Sequence, residues 1–224
     1  MIIVIGASSG IGKTISNYLI KKGEKIITLS RSKAEFEYHL TCDVTDYNSL
    51  KKIYKYLNQN YKNIEAIINC AGIASMNLAV TTPSHITEKI IKTNLIGTIY
   101  TNQIFAPLLI KNKYGRIINF STIAVPLGLQ GESIYVASKA GVEAFSKVFA
   151  KEMAPFNITV NCIAPGPIRT NLLRGIDEKK IKNILNRQII KKELQAKDVY
   201  DLVEIIINKN ASNITGQVFN LGGV

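Results

Sequence analysis

Short apolar runs recur along the chain, each bounded by glycine, proline, serine or asparagine and most followed by residues at helical spacing. Residues 2–5, IIVI, are apolar without interruption, as a strand buried on both faces requires. Gly6-Ala7-Ser8-Ser9-Gly10-Ile11-Gly12 follows, and an amphipathic pattern then runs to about Lys22, where Gly23 closes it. Lys25–Leu29 predicts a second strand ending in Ser30-Arg31-Ser32, and the residues near Glu37–Thr41 a brief third. Asp46 or Thr45 is placed to cap a helix reaching about Tyr61. Ile64–Ile68 predicts the fourth strand, which leads into Asn69-Cys70-Ala71-Gly72. A long helical region after Pro83 contains Asn94, and Pro107 is expected to kink or break it. The run GRIINF then predicts a fifth strand that delivers Ser121 and Thr122 at its carboxyl end. A helix carrying Tyr135 and Lys139 follows, to about Met153, and ITVNCI predicts the sixth strand, closed by Ala164-Pro165-Gly166-Pro167. Leu172–Leu194 is polar, lysine-rich and weakly periodic, which suits a substrate lid over about residues 172–195. A last helix at about Lys197–Asn208 precedes the strand QVFNL.

Strands alternating with helices throughout imply the α/β class: one domain over residues 1–224, built on a doubly wound parallel sheet (a Rossmann fold). Such sheets bind ligands at the carboxyl edge. Gly6–Gly12, Asn69–Gly72, Ser121/Thr122 and Pro165–Gly166 all fall at predicted strand ends of that kind.

Composition narrows the functional classes. With 224 residues, 46% of them hydrophobic, and a mean hydropathy of +0.11, the chain can bury a sizeable single core. No apolar run approaches the ~20 residues that span a bilayer. The opening MIIVIG enters a strand without a basic region or cleavage site, so no signal peptide is expected. Cys42, Cys70 and Cys162 are odd in number and lack metal-ligand spacing, so buried reduced thiols, no metal site and a cytoplasmic location are expected. The net charge of +12 would suit nucleic acid or a membrane surface, but the lysines are scattered in ones and twos. No basic block interleaved with aromatics occurs, which points to solvated helix faces; an anionic cofactor or substrate would still gain from the field.

Three local patterns carry chemistry. A glycine-rich turn between a strand and a helix directs backbone amides at an anion, so Gly6, Ser8, Ser9, Gly10, Ile11 and Gly12 form a candidate pyrophosphate site. A tight strand-to-helix connection is the plainer alternative. At the end of the second strand an acid would bind the ribose 2′-hydroxyl of NAD, whereas arginine suits the 2′-phosphate of NADP. Ser30 and Arg31 stand there with no acid, which favours NADPH/NADP+ over NADH, although Arg31 could simply be solvated. Tyr135 and Lys139 are four apart and share a helix face. The ammonium is expected to favour the phenolate and draw the tyrosine pKa down from its usual ~10.

With these residues in view, the chain resembles the short-chain dehydrogenase/reductase family over essentially its whole length. GASSGIG is similar to the family's cofactor motif, although Ile5 stands where threonine usually precedes it. CDVTD resembles the segment that contacts adenine, implying roles for Asp43 and Val44. NCAG corresponds to the family's NNAG, implying Asn69, Ala71 and Gly72 in the cofactor site, with Cys70 as the departure. TNLIG resembles the segment bearing the catalytic asparagine, here Asn94, which would hold a water that relays protons to Lys139. PGPIRT is similar to the segment that meets the nicotinamide carboxamide, implying Pro165, Gly166, Ile168 and Thr170. The family's catalytic serine usually lies thirteen residues before the tyrosine, which here is Thr122; a shifted loop would restore the role to Ser121.

The resemblance implies hydride transfer between NADP(H) and a carbonyl or alcohol. In it Thr122 holds the oxygen, Tyr135 is the proton donor, and Lys139 binds the nicotinamide ribose. The 3-oxoacyl-carrier-protein reductase branch is the most similar, on ITVNCIAPGPIRT and ITGQVFNLGG. Lys111, Lys113 and Arg116 would then be candidates to meet an acidic acyl carrier protein, though Phe156 stands where a basic residue would help. Another small ketone, a sugar or a polyol is the alternative substrate. A non-catalytic dinucleotide sensor would be expected to lack the Tyr or the Lys, and both are present. A homotetramer or homodimer is implied by the same resemblance.

Overall fold

Because both faces of the sheet are covered, its inner strands are largely apolar at consecutive positions. In the computed structural model, which describes residues 1–168 and 178–224 (Lys180 by its backbone alone), seven strands pair in parallel. They are β1 (Ile2–Ile5), β2 (Ile26–Ser30), β3 (His39–Thr41), β4 (Ala66–Asn69), β5 (Gly115–Phe120), β6 (Ile158–Ala164) and β7 (Val218–Asn220). Their order is β3-β2-β1-β4-β5-β6-β7, so the connection reverses direction between β1 and β4. Ile5 lies opposite Asn69 in that pairing, which brings the two following loops together at the carboxyl edge.

Side-chain alternation along each strand sorts the core into two layers. Ile3, Ile5, Ile27, Leu29, Ile67 and Ile117 pack on the face covered by α2 (Tyr47–Asn60), α4 (Gly97–Ile110) and α6 (Ser133–Met153), the short α5 (Ala124–Leu127) lying between the last two in the chain. Ile2, Val4, Ile68 and Ile118 pack on the other, against α1 (Gly10–Lys21) and α8 (Ala196–Ile207). Buried polar residues in the strands tie segments together: Asn119 accepts from Asn102 Nδ2 (2.9 Å) and donates to Ser146 Oγ (2.9 Å). Asn161 donates to the Ile214 carbonyl (2.8 Å) and accepts from the Gln217 amide, which seats the C-terminal segment.

Asp46 caps α2, its carboxylate accepting from the amides of Asn48 and Ser49. No break falls at Pro107: α4 runs through it to Ile110, with the proline exposed. The irregularity lies one element earlier, where α3 (Ser84–Ile91) passes into a π turn, Lys92–Ile96, before α4 begins. That turn carries Asn94.

The stretch expected to be a lid contains helix α7 (Glu178–Asn186), with Ile181 buried within it and Gln188 buried just after it. Thr170 and lid residues 172–177 lie outside the described residues. Arg116 is not available to a partner protein. It is 1% exposed at the amino-terminal edge of the sheet, and its guanidinium donates to the carbonyls of Gly115, Asn208 and Lys209. Lys111 and Lys113 precede β5 at the same edge, opposite the end where the loops converge.

Candidate active site

Two adjoining cavities open along the carboxyl edge of the sheet. The first, about 1130 Å³, is lined by Gly6, Ser8, Ser9, Gly10, Ile11, Gly12, Ser30, Arg31, Val44, Ala71 and Gly72 among others. These residues fit a dinucleotide. Ser9 caps α1 without a side-chain hydrogen bond, and the first turn holds no acid, so the amides there face the cleft without a competing anion. A Cβ at Gly6 would stand 2.7 Å from the Ala71 nitrogen, and one at Gly12 would stand 2.3 Å from the Gly6 carbonyl oxygen. Only glycines allow β1, β4 and α1 to approach this closely.

At the far end of this cleft, Ser30 Oγ donates to the Ser32 carbonyl (2.7 Å). His39, from the neighbouring strand, lies 2.9 Å from Thr28 Oγ1 and 3.1 Å from that same carbonyl, bracing the turn that bears Arg31. Val44 lines the cleft, whereas Asp43 is engaged locally, accepting from the amide and hydroxyl of Thr45 at 2.8 Å each. Asn69 points into the core and donates to Thr101 Oγ1 (2.7 Å).

The second cavity, about 930 Å³, shares Ile11, Cys70, Gly72 and Ile73 with the first and is lined further by Thr122, Tyr135, Lys139, Pro165, Gly166 and Ile168. Thr122 and Ser121 part company as strand alternation dictates. The Thr122 hydroxyl meets the Tyr135 phenol and accepts from the Ala124 amide (3.2 Å). Ser121 is buried and donates to Glu143 Oε1, pinning the end of β5 to α6. Lys139 Nζ donates to the Phe120 carbonyl (2.8 Å). Asn94 is fully buried: its Oδ1 accepts from the Ile73 amide (2.8 Å), and its Nδ2 donates to the Ile73 carbonyl and to Ser138 Oγ. The amide therefore clasps the loop after β4 to the helix that bears Tyr135. Asn94 Oδ1 and Lys139 Nζ flank Gly72 together, at 3.4 and 3.3 Å from where its Cβ would stand.

Electrostatics depart from the expectation of a tyrosine drawn towards neutrality. Burial pushes the Tyr135 phenol up to about 12, the Glu132 carboxylate adds to this, and the contact with Thr122 works against it. Burial also lowers Lys139 to about 8. In this pocket desolvation is the dominant influence on both groups, and Lys139 is not among those that act on the phenol. Near neutral pH the phenol is thus a proton donor beside an ammonium. Among the described residues no group of three His, Cys, Asp or Glu comes together that could hold a metal ion.

Sequence reasoning missed His39, Glu132 and the Ser121–Glu143 pair. Their partners are set by strand order and by the helix's rotation about its axis, which no local motif carries.

The chain belongs to the short-chain dehydrogenase family, whose description matches residues 1–181, and it is an oxidoreductase of the nicotinamide-dependent class. Among its relatives is a 3-oxoacyl-[acyl-carrier-protein] reductase of Buchnera aphidicola subsp. Schizaphis graminum. It is 32% identical over 231 residues, covering 99% of this chain and 95% of the relative. Carbonyl reductase family member 4 of Xenopus tropicalis is 36% identical over 191 residues, or 81% of each chain. The ligand-free aldohexose dehydrogenase of Thermoplasma acidophilum superimposes with a TM-score of 0.90 at 29% identity, covering 99% of this chain and 92% of that one.

Proposed function

We propose that the protein is an NADPH-dependent carbonyl reductase whose substrate is a 3-oxoacyl thioester. One observation carries this reading: Thr122 and Tyr135 meet in a largely apolar cavity that joins the glycine-loop cleft through Ile11, Cys70, Gly72 and Ile73. The near full-length relation to a 3-oxoacyl reductase supports the thioester. Arg31 on the cleft wall, with no acid at the end of β2, supports NADPH.

A bound nicotinamide supplies the hydride. The residues of the glycine loop would hold its pyrophosphate, Arg31 the 2′-phosphate, and Lys139 the nicotinamide ribose. Pro165, Gly166 and Ile168 would border the nicotinamide itself. Thr122 donates a hydrogen bond to the carbonyl oxygen and fixes it against the Tyr135 phenol. Tyr135 gives its proton to that oxygen as the carbon is reduced, leaving an alcohol; a positioned acid of this kind contributes ~10²–10⁴-fold. Lys139, held near Asn94 Oδ1, keeps a positive charge beside the phenolate that remains. Ile184 of α7 closes the cavity from the lid side. The reading carries with it a cytoplasmic homodimer or homotetramer, on the family resemblance. A sugar or polyol is the second reading, favoured by the aldohexose dehydrogenase likeness and by a carboxylate in the cavity, Glu132.

The test follows cofactor absorbance with an acetoacetyl thioester. NADPH oxidation at ten-fold or higher kcat/KM over NADH is expected. A preference for NADH overturns the cofactor assignment, and no turnover with either overturns the thioester.

A further inference from the structure

Among the described residues that line the reaction cavity, Glu132 is the one acid. It occupies the N-cap position of α6, three residues before Tyr135, and it lines the same wall as Thr122, Tyr135 and Lys139. Its side chain caps nothing and is half-buried, with no hydrogen bond or ion pair among the described residues. Beside it the wall is apolar, formed by Ile73, Leu129 and Ile184. Burial raises its pKa, while the N-terminal end of α6 favours the ionised form. Glu132 stands three residues before Tyr135, about the spacing of one helical turn, and its carboxylate acts on the Tyr135 phenol through space, so a carbonyl held at that phenol lies within reach of the same charge. At that range, in a partly desolvated site, two like charges repel enough to change binding by roughly ten- to a hundred-fold.

We infer that Glu132 is a charge filter on the substrate. The cavity takes carbonyl compounds whose neighbouring groups are neutral (esters, thioesters, amides, sugars) and rejects the free keto-acid anions of the same skeleton. This rests on the carbonyl-reductase reading and defines its substrate class. The rest of the molecule argues the other way. The net charge of +12 and the ammonium of Lys139 both favour an anion, so neither can produce a preference for the neutral compound.

The experiment compares kcat/KM for ethyl acetoacetate with that for acetoacetate, using NADPH and following its absorbance. It also measures acetoacetate as an inhibitor of ester reduction. In Glu132→Gln the ester-to-acid ratio should fall at least ten-fold, and the inhibition constant of acetoacetate should fall by a similar factor. Glu132→Ala should do the same, which covers the case in which the amide disturbs the start of α6. An unchanged ratio and inhibition constant in both variants, with the ester still reduced, overturns the filter and leaves the reductase reading standing. A wild-type enzyme that reduces neither ester nor thioester overturns that reading and the filter with it.

Discussion

Desolvation moves the two titrating groups of the site apart, Tyr135 up to about 12 and Lys139 down to about 8, and it thereby assigns the pH dependence to the lysine. The rate of carbonyl reduction should fall as pH rises through about 8, where Lys139 loses its charge. A profile flat to pH 10 would contradict this, and Lys139→Arg should carry the limb beyond that range. Stability follows the same shifts. The folded chain binds fewer protons at Lys139 than the unfolded chain between about 8 and the ordinary lysine value, so stability rises with pH there. Tyr135 acts in the opposite sense above the ordinary tyrosine value, its contribution being lost as pH climbs through about 12.

The two neighbouring hydroxyls should separate in the same assay. Thr122→Ala is expected to lower kcat by ~10²-fold, within the range for a lost hydrogen-bond donor at a developing charge. Ser121→Ala should act mainly on stability, by freeing Glu143. Equal losses from both variants would contradict the assignment. Counting thirteen residues back from Tyr135 made Thr122 legible, and strand alternation already set Ser121 on the other face. Asn94 was legible as a site residue but its clasp was not, because its partners, Ile73 and Ser138, lie 21 and 44 residues away.

Among the elements, the strands were readable because a doubly covered parallel sheet demands uninterrupted apolar runs, and the capping carboxylate of Asp46 because it precedes a helical pattern. Asp46→Ala should therefore cost about 1 kcal/mol in urea unfolding, with little effect on turnover. No loss of stability would mean that α2 does not depend on this cap. Pro107 does not break α4, because an exposed proline near the end of a helix removes one hydrogen bond without stopping the chain. The π turn at Asn94 had no compositional mark, since it arises from the pattern of backbone hydrogen bonds. Helix α7 was hidden for a different reason: its apolar residues, Ile181, Ile184 and Leu185, do stand at helical spacing, but only over one short segment of a long lysine-rich stretch.

For the whole molecule, strand order sets function at one edge and fastening at the other. Arg116 belongs to the second. Arg116→Ala should cost roughly 2–4 kcal/mol, because it empties a buried site and removes the donor from the carbonyls of Gly115, Asn208 and Lys209, while cofactor affinity at the opposite edge stays unchanged. A large loss of NADPH affinity at full stability would refute that separation. The composition could not reveal this, since it gives Arg116 the same weight as the exposed lysines.

The most direct test of the account is Tyr135→Phe, assayed for acyl-thioester reduction and, by calorimetry, for NADPH binding. Turnover should fall by at least ~10²-fold, with the dissociation constant for NADPH within about three-fold of wild type. Turnover that survives the loss of the phenol, in a variant that still binds NADPH, would contradict Tyr135 as the proton donor and the site built around it.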